Sequence, residues 1–223
     1  MYKLSNIDNT IKAIAFDFDG LLMDTEPFWH ATERSVLSSL GITISPEDSA
    51  KTSGFRCSEV IEYWAKRSGK LHEIDVAETE QMIEDKIVEL IESKGLAKPG
   101  AVSAFRKAQT IPSIKVGVVS SSPLRVIEAG LKKLGLQIDR EAIFSAIDEQ
   151  FGKPHPSVYL TFCKWADIEG FNGLAFEDSL NGSIAAKAAK MNLVSIPEGT
   201  SDRKRFGLAD LVLGSLEEFD LAL

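Results

Sequence analysis

The sequence predicts an α/β fold in which a doubly wound parallel sheet carries an inserted α-helical cap. Three observations lead to this prediction. Short apolar runs recur along the chain and end in polar residues, helix signals lie between these runs, and one long stretch has helix signals alone. Strands that alternate with helices are typical of a parallel sheet with helices on both faces.

Five apolar runs are the candidate strands. Each is short and nearly continuous, as expected for strands that are buried on both faces. They span residues 11–16, 114–119, 173–176, 193–196 and 211–213. Ligands of such Rossmann-like sheets bind outside the carboxyl ends of the strands. The polar residues that follow these runs are therefore the first candidates for a functional site.

Three helices are predicted between the strands of the core. Ser122 and Pro123 form an expected N-cap and first helical residue, ahead of an apolar stripe at helical spacing over residues 124–134. Pro156 can start a second helix, and Ser179 opens a third helix that is rich in alanine.

The stretch from residue 26 to residue 96 has no convincing buried strand. Helices are predicted there over residues 28–40, 57–67 and 76–93. We therefore expect two domains, an α/β core of residues 1–25 plus 97–223 and a helical cap of residues 26–96. An insertion that follows the first strand is well placed to cover a site as a lid.

The composition argues against several kinds of partner. The net charge is −8, and the short run Arg203-Lys204-Arg205 is expected to be a solvated loop, so no nucleic-acid partner is predicted. No apolar run approaches the roughly 18 residues of a membrane span. Cys57 and Cys163 stand far apart, which suits a reducing compartment better than a disulfide framework or a zinc site. We expect a cytoplasmic monomer, because no feature demands an oligomer.

Four carboxylates follow two of the candidate strands. Asp17 and Asp19 are two residues apart, so on an extended chain both can face one reaction centre. Glu177 and Asp178 follow a second strand, and carboxylates that converge repel one another unless a cation lies among them. Oxygen ligands suit Mg²⁺. A solvated turn at Asp17-Phe18-Asp19-Gly20 and an acidic helix N-terminus at Glu177-Asp178 are the structural alternatives.

Two further clusters can hold an anion. Ser120 and Ser121 end a strand just ahead of a helix N-terminus, where hydroxyl and amide groups favour phosphate. Lys153 lies in a loop stiffened by Gly152, Pro154 and Pro156, although such a lysine is more often a solvated surface charge. Together with the carboxylates these residues form a phosphoryl-transfer set. In that set Asp17 attacks phosphorus, and Asp19 protonates the leaving group, which requires Asp19 to carry a proton near neutral pH.

These residues resemble the haloacid dehalogenase-like hydrolase superfamily over essentially the whole chain. The resemblance rests on four motifs in the same order: Asp17-Phe18-Asp19-Gly20, Ser120, Lys153, and Glu177-Asp178 followed by Asn181-Gly182. The string over residues 19–27 and the helical cap are similar to the β-phosphoglucomutase-like branch. Within that branch the chain resembles the bacterial hexitol and 2-deoxyglucose-6-phosphate phosphatases.

The resemblance implies a Mg²⁺-dependent phosphatase that hydrolyses small phosphorylated metabolites, namely sugar or sugar-alcohol phosphates. It implies that Asp17 forms an aspartyl-phosphate and that Asp19 is both acid and base and gives its backbone carbonyl to Mg²⁺. It also implies that Asp178 binds the ion, with Glu177 either as a further ligand or as a residue next to the ligands that does not touch the ion. The implied phosphate and substrate contacts are Ser120, Ser121, Lys153, Arg56 and Asn181, and a surface ion pair is the alternative for Arg56.

Three other functions use much of the same machinery. A phosphomutase of the β-phosphoglucomutase type returns the phosphoryl group to a sugar, but its characterised members carry a histidine where this chain has Trp29, with His30 one position away. A dehalogenase has little use for Asp19, and a non-enzymatic phosphoacceptor module of the signalling-receiver kind needs neither Asp19 nor a cap. His30, His72 and His155 are expected to be ordinary surface or loop residues.

Overall fold

The computed structural model describes residues 2–3, 10–52, 54–197 and 203–221. Its strands are β1 Tyr2–Lys3, β2 Ala13–Phe16, β3 Lys115–Ser120, β4 Ile143–Ser145, β5 Gly173–Glu177, β6 Asn192–Ser195, β7 Leu211–Val212 and β8 Phe219–Asp220. Strands β2 to β7 form one parallel sheet in the order β4-β3-β2-β5-β6-β7. A separate parallel pair joins β1 and β8.

The centre of the sheet is the place where the strand order reverses. Strand β2 lies between β3 and β5, and Phe16 is in register with Val118 on one side and with Phe176 on the other. The residues that follow Phe16 and Phe176 therefore lie next to each other at one edge of the sheet. This crevice at the carboxyl ends is where an open α/β sheet binds its ligand.

Helices cover both faces of the sheet. The helices of the chain are α1 Glu26–Ser39, α2 Pro46–Ser49, α3 Cys57–Arg67, α4 Val76–Lys94, α5 Ala101–Gln109, α6 Leu124–Leu134, α7 Ser157–Ala166 and α8 Leu180–Ala188, and those that cover the sheet are α5 to α8. Because alternate strand residues point to opposite faces, Ile14 and Phe16 join the core cluster with α5 and α6, whereas Ala13 and Ala15 join the cluster with α7 and α8.

The described residues between 26 and 94 form helices and turns but no strand. Helices α1, α3 and α4 bury apolar stripes against one another, for which Leu37, Ile61 and Ile87 are examples. The two chain connections to the sheet run side by side, since Asp24 N donates to Leu96 O at 2.9 Å. Both crossings between this helical segment and the rest of the chain therefore lie at one place.

The structure confirms the α/β doubly wound class and the five predicted strands. It adds β4, which has only three residues, and α5, which begins after Gly100 with φ 80° and no side-chain cap. These elements lack the run length and the capping residue on which sequence patterns depend. Among the described helices none is long and apolar enough to cross a membrane.

The prediction for the start of α6 is wrong. The helix begins at Leu124, Pro123 occupies the N-cap, and no side chain caps the helix. The hydroxyl of Ser122 instead donates to the carboxylate of Asp19 at 2.7 Å. The predicted helices after Pro156 and Ser179 are confirmed, and Ser179 Oγ accepts from Gly182 N as an N-cap. The basic run is exposed in a short 3₁₀ turn, Arg203–Phe206.

Candidate active site

Three buried carboxylates meet at the carboxyl ends of the central strands. Asp17 follows β2, and Glu177 and Asp178 lie at the end of β5. One oxygen from each lies within 4.8 Å of the others. The register of Phe16 with Phe176 explains the meeting, because it places the following residues of both strands side by side.

Lys153 is the buried cation of this cluster. Its Nζ lies 2.7 Å from Asp17 Oδ1 and 2.7 Å from Glu177 Oε1, and it donates to Val119 O at 3.2 Å. The loop that carries it contains a cis peptide bond between Lys153 and Pro154. Although burial lowers the pKa of the ammonium, the two carboxylates raise it above its usual range. The alternative of a solvated surface lysine is thereby excluded.

One ammonium does not balance three carboxylates. Burial raises the pKa of Asp17, and repulsion from Glu177 adds to it, while Lys153 opposes the rise. Burial also raises the pKa of Asp178, with repulsion from Asp17 and Glu177. Among the described residues Asp178 has no hydrogen-bond partner for its carboxylate. An excess of buried negative charge on oxygen donors fits a hard divalent cation such as Mg²⁺.

Glu177 is held in place from several sides. Tyr159 OH donates to Glu177 Oε1 at 2.5 Å, and Ser179 Oγ donates to Oε2 at 3.2 Å. Gly182 leaves room for this carboxylate, because a Cβ at Gly182 would lie 2.0 Å from Oε1. Gly20 does the same for Asp178, with φ +74° and an ideal Cβ position 2.1 Å from Asp178 Oδ2.

The carboxylate of Asp19 does not join the other three. Its Oδ1 accepts from Thr25 Oγ1 at 2.7 Å and from Trp29 Nε1 at 2.8 Å. Its Oδ2 accepts from Ser120 Oγ at 2.9 Å and from Ser122 Oγ at 2.7 Å. The expectation that all four carboxylates converge is therefore wrong. Four donors fix the orientation of Asp19 instead.

Asp17 and Asp19 nevertheless face a common space. A small cavity lies at the sheet edge, and we call it the catalytic cavity. It is lined by Asp17, Asp19, Glu26, Gly54, Ser120, Ser121, Lys153, Asp178 and Ser179. Most of the site residues predicted from the sequence thus line one space, bounded by the core on one side and by Glu26 and Gly54 of the helical segment on the other.

Two predicted substrate contacts lie elsewhere. Arg56 Nη2 pairs with Glu59 Oε1 at 2.6 Å, and its Nη1 donates to Glu149 O at 3.1 Å, so the guanidinium joins the helical segment to the core. Arg56 is not among the residues that line the catalytic cavity. Asn181 lies beside Gly54, where an added Cβ would be 3.6 Å from Asn181 Cβ. Ser121 lines the cavity and donates its hydroxyl to Gly54 O at 3.1 Å.

Several residues that build the site were not predicted from the sequence. These residues are Tyr159, which donates to Glu177, and Thr25 and Trp29, which donate to Asp19. Their partners lie in other elements, so spacing along the chain carries no signal of these contacts. His30, expected to be an ordinary surface or loop residue, pairs with Glu26 at 3.1 Å at the wall of a second cavity.

Residues 11–190 match the haloacid dehalogenase-like hydrolase family. The chain belongs to this family. It is 36% identical over 214 residues to hexitol phosphatase B of Escherichia coli strain K12, a match that covers 93% of this chain and 94% of that protein. The family and its named phosphatase relatives identify the chain as a phosphatase, in agreement with the resemblance inferred from the sequence.

Solved structures show the same fold. CbbY from Rhodobacter sphaeroides, solved in complex with phosphate, superposes with a TM-score of 0.82 at 25% identity and covers 93% of this chain and 96% of that one. A β-phosphoglucomutase from Clostridium difficile has the same TM-score at 23% identity, covering 93% of this chain and 92% of that one. This haloacid dehalogenase-like chain therefore shares its architecture with both phosphatase and phosphomutase relatives.

The close approach of Gly182 to Glu177 gives a testable prediction. Gly182→Ala should displace the Glu177 carboxylate from Lys153, lowering kcat at least ~10-fold and costing about 1–3 kcal/mol of unfolding free energy, as overpacking does. Denaturant unfolding and steady-state kinetics measure the two effects. Gly207→Ala is the matched control, since the nearest atom to its added Cβ would be 3.4 Å away. Equal, small effects of both substitutions would contradict the role given to Gly182.

Proposed function

We propose that the chain is a Mg²⁺-dependent phosphatase of sugar or sugar-alcohol phosphates that works through an aspartyl-phosphate on Asp17. The observation that carries this proposal is the meeting of Asp17, Asp19, Lys153 and Asp178 around one cavity. The similarity to hexitol phosphatase B supports the substrate class.

Asp17 is the proposed nucleophile. A carboxylate oxygen forms a bond to phosphorus while the bond from phosphorus to the substrate oxygen breaks. Lys153, 2.7 Å from Asp17 Oδ1, offsets negative charge on the transferring group, and Ser120 and Ser121 supply hydroxyl or amide donors beside it. Water then attacks phosphorus of the aspartyl-phosphate, releasing inorganic phosphate and restoring the Asp17 carboxylate.

Asp19 is the proposed acid and base. It gives a proton to the leaving alkoxide in the first step and takes a proton from water in the second. With four donors around it, the carboxylate is oriented by Thr25, Trp29, Ser120 and Ser122 and accepts every hydrogen bond it makes with them. A carboxylate held in this way can take a proton from water in the second step. In the first step Asp19 must already carry the proton that it gives to the leaving group.

The buried acidic cluster is the proposed metal site. Asp17 and Asp178 would hold Mg²⁺ together with the backbone carbonyl of Asp19. Glu177 would not bind the ion itself, since its carboxylate already accepts hydrogen bonds from Lys153 and Tyr159. When bound, the ion offsets charge on the phosphoryl oxygens. Three carboxylates against one ammonium make this edge of the sheet favourable for the ion.

The helical segment of residues 26–96 is the proposed cap domain, with the core formed by residues 1–25 and 97–223. It contributes Glu26 and Gly54 to the catalytic cavity, and its two connections to the core lie side by side, as a hinge requires. The unpaired, buried Cys57 and Cys163 suit the proposed cytoplasmic location. The proposal treats the chain as a monomer.

Hydrolysis is preferred here over phosphomutase activity. The resemblance places Trp29, with His30 one position away, where the mutase pattern has a histidine, and the indole N–H of Trp29 donates to Asp19 at 2.8 Å. An indole donates a hydrogen bond but does not exchange protons as an imidazole does. Formation of an isomeric sugar phosphate would point to the mutase instead.

Asp17→Asn should abolish turnover and leave the fold intact. An amide is not a competent nucleophile here, so we expect kcat to fall by at least about 10³-fold. The fold should persist because the substitution removes one of three repelling carboxylates and leaves Lys153 its bond to Glu177. Phosphate release and circular dichroism check both parts. Substantial activity in a pure, folded variant would rule out Asp17 as nucleophile.

Asp19→Asn should slow alkyl phosphates far more than aryl phosphates. General acid catalysis contributes about 10²–10⁴-fold, and phenolate leaving groups need little of it. The measurement is kcat/KM for a hexitol phosphate and for p-nitrophenyl phosphate with both enzymes. Equal losses on the two substrates would argue against an acid role and favour a purely structural one.

Mg²⁺ should stabilise the folded chain in the absence of substrate. A ligand at 100 times its dissociation constant stabilises a native protein by about 2.7 kcal/mol, so the unfolding midpoint should rise with Mg²⁺ concentration. Asp178→Asn should remove most of this shift, because the amide of asparagine lacks the negative charge that the Asp178 carboxylate brings to the site. Glu62→Gln, at an exposed position of α3, is the matched control. An unchanged shift in Asp178→Asn would place the ion elsewhere.

A further inference from the structure

A second cavity adjoins the catalytic cavity and extends from it along the helical segment. We call it the cap cavity. Asp19, Glu26, Gly54 and Ser121 line both spaces, so the two are continuous. A substrate with its phosphate at Asp17 therefore has its remaining carbon chain in or near the cap cavity.

Glu33 is the unusual residue in the wall of the cap cavity. It is only 8% exposed, and no hydrogen-bond or ion-pair partner for it exists among the residues that the structure describes. Glu33 is one of the residues that line the cavity. A buried polar group without a partner is costly, so such a group in a cavity wall points to a ligand that pairs with it.

The surroundings of Glu33 favour the neutral acid. Burial raises its pKa to about 8, Glu26 adds to the rise, and His30 and Arg34 on the same helix oppose it. From α3 the facing titratable group is Cys57, whose own pKa is raised mainly by burial. A protonated carboxyl group both donates and accepts hydrogen bonds, which matches the two-way hydrogen bonding of a hydroxyl group.

The charge of the cap cavity restricts the ligand further. Its described lining includes Asp19, Glu26 and Glu33, with His30 as the one basic side chain and no lysine or arginine. His30 is already paired with Glu26 at 3.1 Å. A carboxylate or second phosphate on the substrate would enter an acidic pocket without a free cationic partner, which is unfavourable. Trp29, Phe55 and Pro123 supply apolar surface for carbon-bound hydrogens.

We propose that the cap cavity binds the uncharged, polyhydroxylated tail of the phosphate ester, with Glu33 hydrogen-bonded to a tail hydroxyl group, and that it excludes tails bearing a second anion. This inference rests on the proposed function, since it takes the phosphate to lie at Asp17. It makes Glu33 a specificity-determining residue on a helix that carries no part of the phosphoryl-transfer set.

The test compares three substrates that differ in the tail beyond the phosphate: a hexitol 6-phosphate, the aldonic acid 6-phosphate of equal chain length, and acetyl phosphate, which has no hydroxyl-bearing tail. We expect the native enzyme to prefer the hexitol ester over the aldonate ester by at least ~10-fold in kcat/KM, because the site pairs with one tail and repels the other. A preference for the aldonate ester would overturn the inference.

Substitutions then assign the preference to Glu33. Glu33→Leu should lower the kcat/KM ratio of hexitol ester to acetyl phosphate about 10-fold, mainly through KM, as expected when a substrate hydroxyl loses its partner. Glu33→Gln, which retains a donor and an acceptor, should restore the ratio to within about threefold. Glu62→Leu, at an exposed position of α3, is the matched control for adding a leucine to the cap and should leave the ratio at the native value.

The outcomes separate the two proposals. An unchanged ratio in Glu33→Leu, while the native enzyme hydrolyses acetyl phosphate, overturns the role of Glu33 and leaves the phosphatase chemistry standing. Failure of the native, folded, Mg²⁺-supplied enzyme to hydrolyse any of the three substrates overturns the proposed function and this inference with it.

Discussion

The buried contact of Lys153 with Asp17 and Glu177 is the constraint on which the rest of the site depends. Breaking a buried ion pair by removing one partner leaves an uncompensated charge and is strongly destabilising. The surrounding sequence is arranged to keep this contact: Tyr159 and Ser179 hold Glu177, and Gly182 leaves the space that its carboxylate fills. The remaining negative charge, which Lys153 cannot balance, is what makes the site attractive to a cation.

The two carboxylates of the Asp17-Phe18-Asp19 segment have opposite environments, and this division explains how one short segment can serve two chemical roles. Asp17 lies among other carboxylates and one ammonium, whereas Asp19 lies among hydroxyl and indole donors. Those donors come from the first loop, from α1 and from the end of β3. The orientation of Asp19 therefore depends on the position of the helical segment, since Trp29 belongs to it.

The sequence was sufficient to predict what depends on local pattern. Buried strands, the helices between them and the polar residues at the strand ends follow from apolar periodicity, and they indicate that Asp17, Ser120 and Asp178 lie at one edge of the sheet. Lys153 lies in a loop, and its place in the site was indicated by the resemblance to the family. Contacts between distant elements were not predictable in this way. Ser122 is predicted to cap a helix because it precedes a proline, but its hydroxyl donates to Asp19. Glu33 gave no signal, because a glutamate within an amphipathic helix is ordinarily solvated.

The central claim is that a phosphoryl group passes through Asp17, and chemical trapping tests it most directly. The enzyme is mixed with saturating hexitol phosphate and Mg²⁺, quenched in acid and treated with borohydride, which reduces an aspartyl-phosphate to homoserine, and the modified position is mapped by mass spectrometry. The account predicts homoserine in place of Asp17, formed only when substrate was present. Turnover with no modification at Asp17, or with modification of a different side chain, would contradict it.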